Sequence, residues 1–336
     1  MQGSHEPKDA VQQYRPRDEH SGRRDNRRMK AFVIPGAGRT GQIVLTDIPQ
    51  PAIDADEVLV RMQAVGVGSH DRWAIPGNAR FPYAIGLEGA GTIEEAGQGV
   101  TAYQPGDKVI VQQGMLQPKG GTWAEYAAVH EQSLIAIPNG LEITQAAGIP
   151  IAGSTALEGI RALRLQPGNT LFVAGASGAI GTLAIQLATS HGYRVGASAS
   201  QPNHDYLREL GVELAVDYRD QDWVAKVREW MPDGVDAALA IQPGTGTSSL
   251  PVVRDGGQVV TISGDRVVPE RQIRVEQIEH HPETRKELIQ LVSDVAAGRM
   301  RVIIESTYPF EQGLEALQKT EARHARGKTV LTMDAC

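Results

Sequence analysis

From Met29 onward, short apolar runs alternate with glycine and proline: 29–34, 56–67, 89–97, 107–111 and 123–130 each read as a strand bounded by turn residues. This spacing predicts a compact β-rich module reaching to about residue 150. The rhythm then changes. NTLFVAGA (169–176) is strand-like, and SGAIGTLAIQLATSHG (177–192) repeats its apolar positions at helical spacing. YRVGASAS (193–200), HDYLRELG (204–211) and VELAVDY (212–218) continue as strand, helix, strand. A helix at 222–230 and strands at 235–241 and 257–264 extend the alternation, which predicts a parallel sheet of about six strands with helices on both faces. Pro282–Gly298 has an amphipathic pattern built on Leu288, Leu291, Val292 and Val295, and 301–310, 310–319 and 327–333 follow as strand, helix, strand. The predicted class is α/β.

The first 28 residues break from this pattern: they are almost wholly polar, carry charges of both signs and predict a disordered tail. Its arginines, Arg23, Arg24, Arg27 and Arg28, could form an anion-binding arm, but charge runs of this kind are usually solvated. At 336 residues the chain has room for two domains. The formal net charge of −7, with basic residues scattered, argues against nucleic acid and for a small-molecule partner. Cys336 is the only cysteine, which excludes an intrachain disulfide or a cysteine-built zinc knot. Without a long apolar run or a signal-like stretch, the expectation is a cytoplasmic protein with no membrane partner.

The sharpest local signal is Val173–Gly181, where a predicted strand runs into a predicted helix through Gly175, Gly178 and Gly181. Glycines at such a turn let the backbone approach a pyrophosphate, which helix-terminal N–H groups then hold. Ser177, Gly178, Ala179, Ile180 and Gly181 are therefore candidate cofactor residues, with Ala176 in the place of the frame's first glycine. An NAD site calls for an acidic residue at the end of the next strand. This strand ends in Ser198-Ala199-Ser200-Gln201, with no carboxylate before Asp205. Ser198 and Ser200 leave room for a 2′-phosphate and Asn203 could donate to it, so NADP(H) is the expected cofactor, although the loop lacks the usual arginine or lysine.

In order, AVGVGSHD (64–71), IGLEGAGTIEEAG (85–97), PGDKV (105–109), GGTWAEYAAV (120–129), AAGIPIAGSTAL (146–157), GASGAIG (175–181), VDYRD (216–220), DGGQVVTISG (255–264) and RGKTVL (326–331) resemble the medium-chain dehydrogenase/reductase superfamily, in its zinc-independent quinone oxidoreductase-like branch. The resemblance runs from about Met29 to Met333. It implies a GroES-like catalytic domain (29–150 and 288–336) joined to a Rossmann domain (151–287), with the active site in the cleft between them. Where zinc-dependent members carry cysteine and histidine, this chain has Gly68 and Leu87, neither of which can ligate a metal, and Glu88 alone does not make a site. No metal is expected. The adjacent His280 and His281 do not share a helix face and read as a solvated turn.

The resemblance further places Thr155 and Gly264 beside the nicotinamide, Tyr218 near the adenosine, and Lys328 within reach of the cofactor's phosphates. It implies a substrate pocket of Gly68, His70, Trp73 and Tyr83, with Met115 and Trp123 as further candidates; His70 and Tyr83 are the candidate catalytic side chains. Two departures bear on the substrate: many relatives have Asn and Pro at Gly68 and Ser69, and an Asp-containing turn where this chain has AIQPGTGTSS (240–249). Without a metal to hold an alkoxide, reduction of a conjugated acceptor, a quinone or an α,β-unsaturated carbonyl, is the implied chemistry. Two other readings stand beside it: an enoyl-thioester or specialised-metabolite double-bond reductase, and a low-turnover NADPH-binding structural or interaction protein. Relatives, commonly dimers or tetramers, imply a homo-oligomer, with a dimer expected, for which GQVVTISG offers itself as an edge strand.

Overall fold

The computed structural model describes residues 27–39, 42–112, 117–322 and 325–333. The expected tail lies outside the described residues except for Arg27 and Arg28, and Arg28 already begins the first strand. In chain order come β1 (Arg28–Ile34), β2 (Val44–Pro49), β3 (Glu57–Val67), β4 (Tyr83–Ala84), β5 (Glu88–Ala96), β6 (Lys108–Gln112), β7 (Tyr126–His130) and β8 (Leu134–Ala136). Two helices follow, α1 (Ile143–Gly148) and α2 (Pro150–Leu163). Then come β9 (Thr170–Ala174), α3 (Ala179–Ser190), β10 (Arg194–Ser198), α4 (His204–Glu209), β11 (Leu214–Val216), α5 (Trp223–Trp230), β12 (Val235–Ala240), α6 (Thr245–Ser249), β13 (Val253–Thr261) and β14 (Arg274–Gln277). The last elements are α7 (Thr284–Ala296), β15 (Ile304–Pro309), α8 (Gly313–Glu321) and β16 (Lys328–Thr332).

β9 to β14 form one six-stranded, fully parallel sheet in the order β11-β10-β9-β12-β13-β14. This is the doubly wound dinucleotide-binding order, whose direction reverses between β9 and β12. Its strands read as near-continuous apolar runs because both faces are covered. On one side Leu171, Val173, Val195, Ala197, Leu239 and Val260 join a core with α2, α3 and α7; on the other, Phe172 lies under Trp223, rings stacked at 5.6 Å.

A seven-stranded sheet carries β15-β16-β3-β5-β6-β8, with β7 also on β3, and a three-stranded sheet carries β2-β1-β4. β16 pairs antiparallel with β3, so the end of the described chain returns to the first module. A second core, with Phe32, Ile34, Trp123, Phe310 and Leu331, fills that module; Phe32 meets Trp123 and Phe310 edge-to-face at 5.6 and 5.2 Å.

Two sequence expectations change. GQVVTISG is not an edge strand: β13 is flanked on both sides, and β14 is the outer strand. The sequence 150–163, seen only as a family motif, is a helix started by Pro150 in its first turn and stopped at Arg164, which takes the left-handed conformation (φ 51°).

Candidate active site

Ala174, Ser198, Ala240 and Thr261 end β9, β10, β12 and β13 along one edge of the parallel sheet, where ligands of such folds bind. β9 leaves through Gly175, whose φ of +83° favours glycine and whose absent side chain leaves room for Gln242. Gly178 caps α3 in an extended conformation, and a Cβ built on it would meet nothing within 4 Å. The first α3 N–H with a partner inside the helix is that of Thr182, bonded to the Gly178 carbonyl at 3.0 Å, so the N–H groups of Ala179, Ile180 and Gly181 are free of helical partners. Gly181 works by contact instead: a Cβ there would lie 2.4 Å from the Ala176 carbonyl oxygen. The turn is thus packed tightly beneath and open above, the cradle a pyrophosphate requires.

The C-terminal segment leans onto this turn. The Ser177 hydroxyl donates to the Ala325 carbonyl at 3.1 Å, Gly327 N–H donates to the Ser177 carbonyl at 2.8 Å, and Gly178 bridges Gly327. At the β10 end Ser198 is buried, and the Asn203 amide donates to the Ser200 hydroxyl at 3.0 Å. Asn203 and Ser200 are brought together as expected neighbours, but each occupies the other. Tyr218 is about half exposed at 51% and lies beneath Arg219. The Arg219 side chain donates to both Asp217 oxygens, at 2.9 and 2.6 Å, and holds that carboxyl well below the usual carboxylate range; the Arg219 and Gln201 backbone N–H groups add two more bonds, each at 3.0 Å. The sequence reading missed both Asp217 and Arg219. Gly264 follows β13 at φ +74° with open space around it, and Thr155 sits half-buried on α2 with its hydroxyl bonded to the Ile151 carbonyl at 2.7 Å.

The first module holds a buried charged cluster. Lys328 and Glu88 form an ion pair, both almost fully shielded, and the second Glu88 oxygen accepts the Ile151 N–H at 2.8 Å, tying β5 and β16 to the start of α2. Asp71, 2% exposed, accepts the Gly68 N–H at 2.8 Å. Burial pushes its carboxyl up to about 7, against the opposing pull of the Gly68 N–H and the Lys328 charge and with a further push from Glu88. Asp71 was legible as part of AVGVGSHD, but nothing in the sequence said that it would be buried.

Several expected site residues are placed elsewhere. Lys328 does not reach toward phosphates, because its ammonium is buried against Glu88. Trp123 is fully buried between Phe32 and Gly313 and donates weakly to the Gly66 carbonyl at 3.4 Å, so it is core. Tyr83 is also fully buried, on β4; its hydroxyl has no hydrogen-bond partner among the described residues, and burial pushes its pKa up to about 12. A phenol closed off in this way is no proton donor to a substrate. Trp73 is 61% exposed, the opposite of a ring enclosed in a pocket. His70 is exposed on the short helical turn 69–72, and Gly68 precedes it half-buried. Met115 lies outside the described residues. His280 is solvent-exposed and contacts buried Glu158 at 3.2 Å, and among the described residues no three metal-ligating side chains converge.

Residues 54–139 match the alcohol dehydrogenase GroES-like domain family, and residues 210–331 match the zinc-binding dehydrogenase family. An NADPH-dependent alkenal/one oxidoreductase of Arabidopsis thaliana is 30% identical over 319 residues, spanning 90% of this chain and 79% of its own. The chain belongs to the medium-chain dehydrogenase/reductase superfamily, in its quinone oxidoreductase-like group. A Sus scrofa quinone oxidoreductase is 24% identical over 86% of this chain and 92% of its own. The solved structure of the Coxiella burnetii quinone oxidoreductase superposes with a TM-score of 0.81 at 25% identity, covering 92% of this chain and all of that one. This member is accordingly an oxidoreductase using a pyridine dinucleotide; the two relatives are named for alkenals and alkenones and for quinones. No helix among the described residues is long and apolar enough to cross a membrane.

Proposed function

We propose that this member is an NADPH-dependent reductase of conjugated acceptors, α,β-unsaturated carbonyls or quinones, that works without zinc. The observation that carries the reading is the pairing of an open glycine turn with Gly68 and Leu87 at the two positions where zinc-dependent relatives carry metal ligands. Gly68 has no side chain, Leu87 is apolar, and the neighbouring Glu88 is already engaged by Lys328 and Ile151. The Arabidopsis relative, named for NADPH and for alkenals and alkenones, supports the same cofactor and acceptor class.

The residues fit the dinucleotide. Ser177 to Gly181 would hold its pyrophosphate, Ser198 and Tyr218 would border its adenosine, and Thr155 and Gly264 would border its nicotinamide. When bound, the nicotinamide supplies hydride. The protein's part is placement: Glu88 fixes the start of α2 relative to β5, Asp71 holds the turn that presents His70, and exposed His70 or water returns the proton that completes the reduction. Ser198, in place of a carboxylate at the β10 end, favours the 2′-phosphorylated cofactor.

Fluorescence titration of protein stripped with chelator, against NADPH and NADH separately, tests this. Tighter binding of NADPH, with acceptor-dependent oxidation that added zinc does not raise, is the expected result. Preference for NADH, or activity that appears only on zinc addition, would overturn it.

A further inference from the structure

The adenosine end of this site poses a charge problem. The β10 loop offers Ser200 and Asn203, which bond each other, and Arg219, whose charge is neutralised by a two-pronged pair with Asp217. A doubly charged 2′-phosphate calls for a cation that is still available. Arg326 is such a residue. It is exposed, its guanidinium lies 4.2 Å from the centroid of the Tyr206 ring, and it forms no ion pair among the described residues. Tyr206 stands in the first turn of α4, the helix that leaves the β10 loop. The nearest acidic side chain on that turn, Asp205, is paired with Arg208 at 2.6 Å.

The backbone that carries Arg326 is firmly set. Ala325 and Gly327 are hydrogen-bonded to Ser177 of the glycine turn. Gly327 has φ +90°, and a Cβ there would lie 2.3 Å from the Ile303 carbonyl oxygen, so only glycine allows the chain this close. Lys328 next to it is anchored inward on Glu88. The segment therefore crosses from the seven-stranded sheet to the phosphate turn and leaves Arg326 over the start of α4, with its guanidinium over the Tyr206 ring.

We propose that Arg326 is the specificity-determining cation for the cofactor's 2′-phosphate, supplied by the C-terminal segment rather than by the β10 loop. This rests on the NADPH reading above and extends it to a named residue. The test is calorimetric titration of the whole protein, and of its R326A and R326K variants, with adenosine 2′,5′-bisphosphate and with 5′-AMP, which lacks only the 2′-phosphate. R326A is expected to weaken the bisphosphate about ten- to a hundredfold, the range of a lost charge-assisted hydrogen bond, while 5′-AMP changes less than about twofold and R326K recovers part of the loss. Urea midpoints should not move, since the side chain is exposed. Equal weakening of both nucleotides, or of neither, would overturn the assignment while leaving NADPH use intact. Wild-type protein that fails to prefer the bisphosphate over 5′-AMP would overturn the NADPH reading itself.

Discussion

Replacing Asp71 by Asn should change how stability depends on pH. Asp71 is enclosed beneath the Gly68–Arg72 turn, with Glu88 and Lys328 as its charged neighbours, and its carboxyl rises from 3.8 to about 7. A carboxyl with a raised folded-state pKa binds its proton more tightly in the native than in the unfolded protein, so its contribution to stability is full below pH 3.8 and is lost as pH rises toward 7. The full shift of roughly three units corresponds to about 4 kcal/mol, of which about 3 kcal/mol falls between pH 5 and 8. Asn keeps an oxygen to accept the Gly68 N–H but cannot ionise. Urea unfolding of wild type and D71N at pH 5, 6, 7 and 8 should therefore show D71N gaining on wild type by about 3 kcal/mol across that range, with the change ending near pH 7. Parallel pH profiles would refute the argument, because they would mean that Asp71 titrates like a solvated aspartate.

Lys328→Met should destabilise by about 3–5 kcal/mol, since it leaves the Glu88 carboxylate buried and unpaired, and adding Glu88→Gln should recover most of the loss in the same urea assay. Trp123→Ala should cost about 3–5 kcal/mol by emptying the space beside Phe32, whereas Trp73→Ala should stay within about 0.5 kcal/mol; thermal melts separate the two. Gly178→Ala should fold like wild type, there being open space at its Cβ, but bind NADPH at least about tenfold more weakly if the turn receives the pyrophosphate. Gly181→Ala should instead lower the melting temperature, because its methyl group meets the Ala176 carbonyl.

The fold was largely legible because its signals are local and periodic. The apolar runs of β9, β10, β12 and β13 and the glycines at 175, 178 and 181 announce a parallel sheet and its phosphate turn without tertiary information. The elements that escaped are those whose patterns are short or ambiguous, such as two-residue β4 and edge strand β14, or α2, which has Pro150 in its first turn and two glycines within it. The site was legible only where backbone geometry makes it. Side-chain roles depend on burial, which residue type does not fix: Tyr83 and Trp123 had the chemistry of a substrate wall but lie in the interior, while Asp71 gave no warning of its enclosure. Lys328 and Arg326 stand two positions apart in one motif, and only the path of Gly327 decides that the lysine turns to Glu88 and the arginine lies over Tyr206.

Hydride delivery to a conjugated carbon without zinc, as proposed, is tested by incubating chelator-treated protein with NADPH deuterated at C4 and a simple α,β-unsaturated ketone, then locating the label by NMR and mass spectrometry. The expected product is a saturated ketone carrying deuterium at the carbon β to the carbonyl. Label on the carbonyl carbon of an allylic alcohol, or turnover that depends on restored zinc, would contradict it.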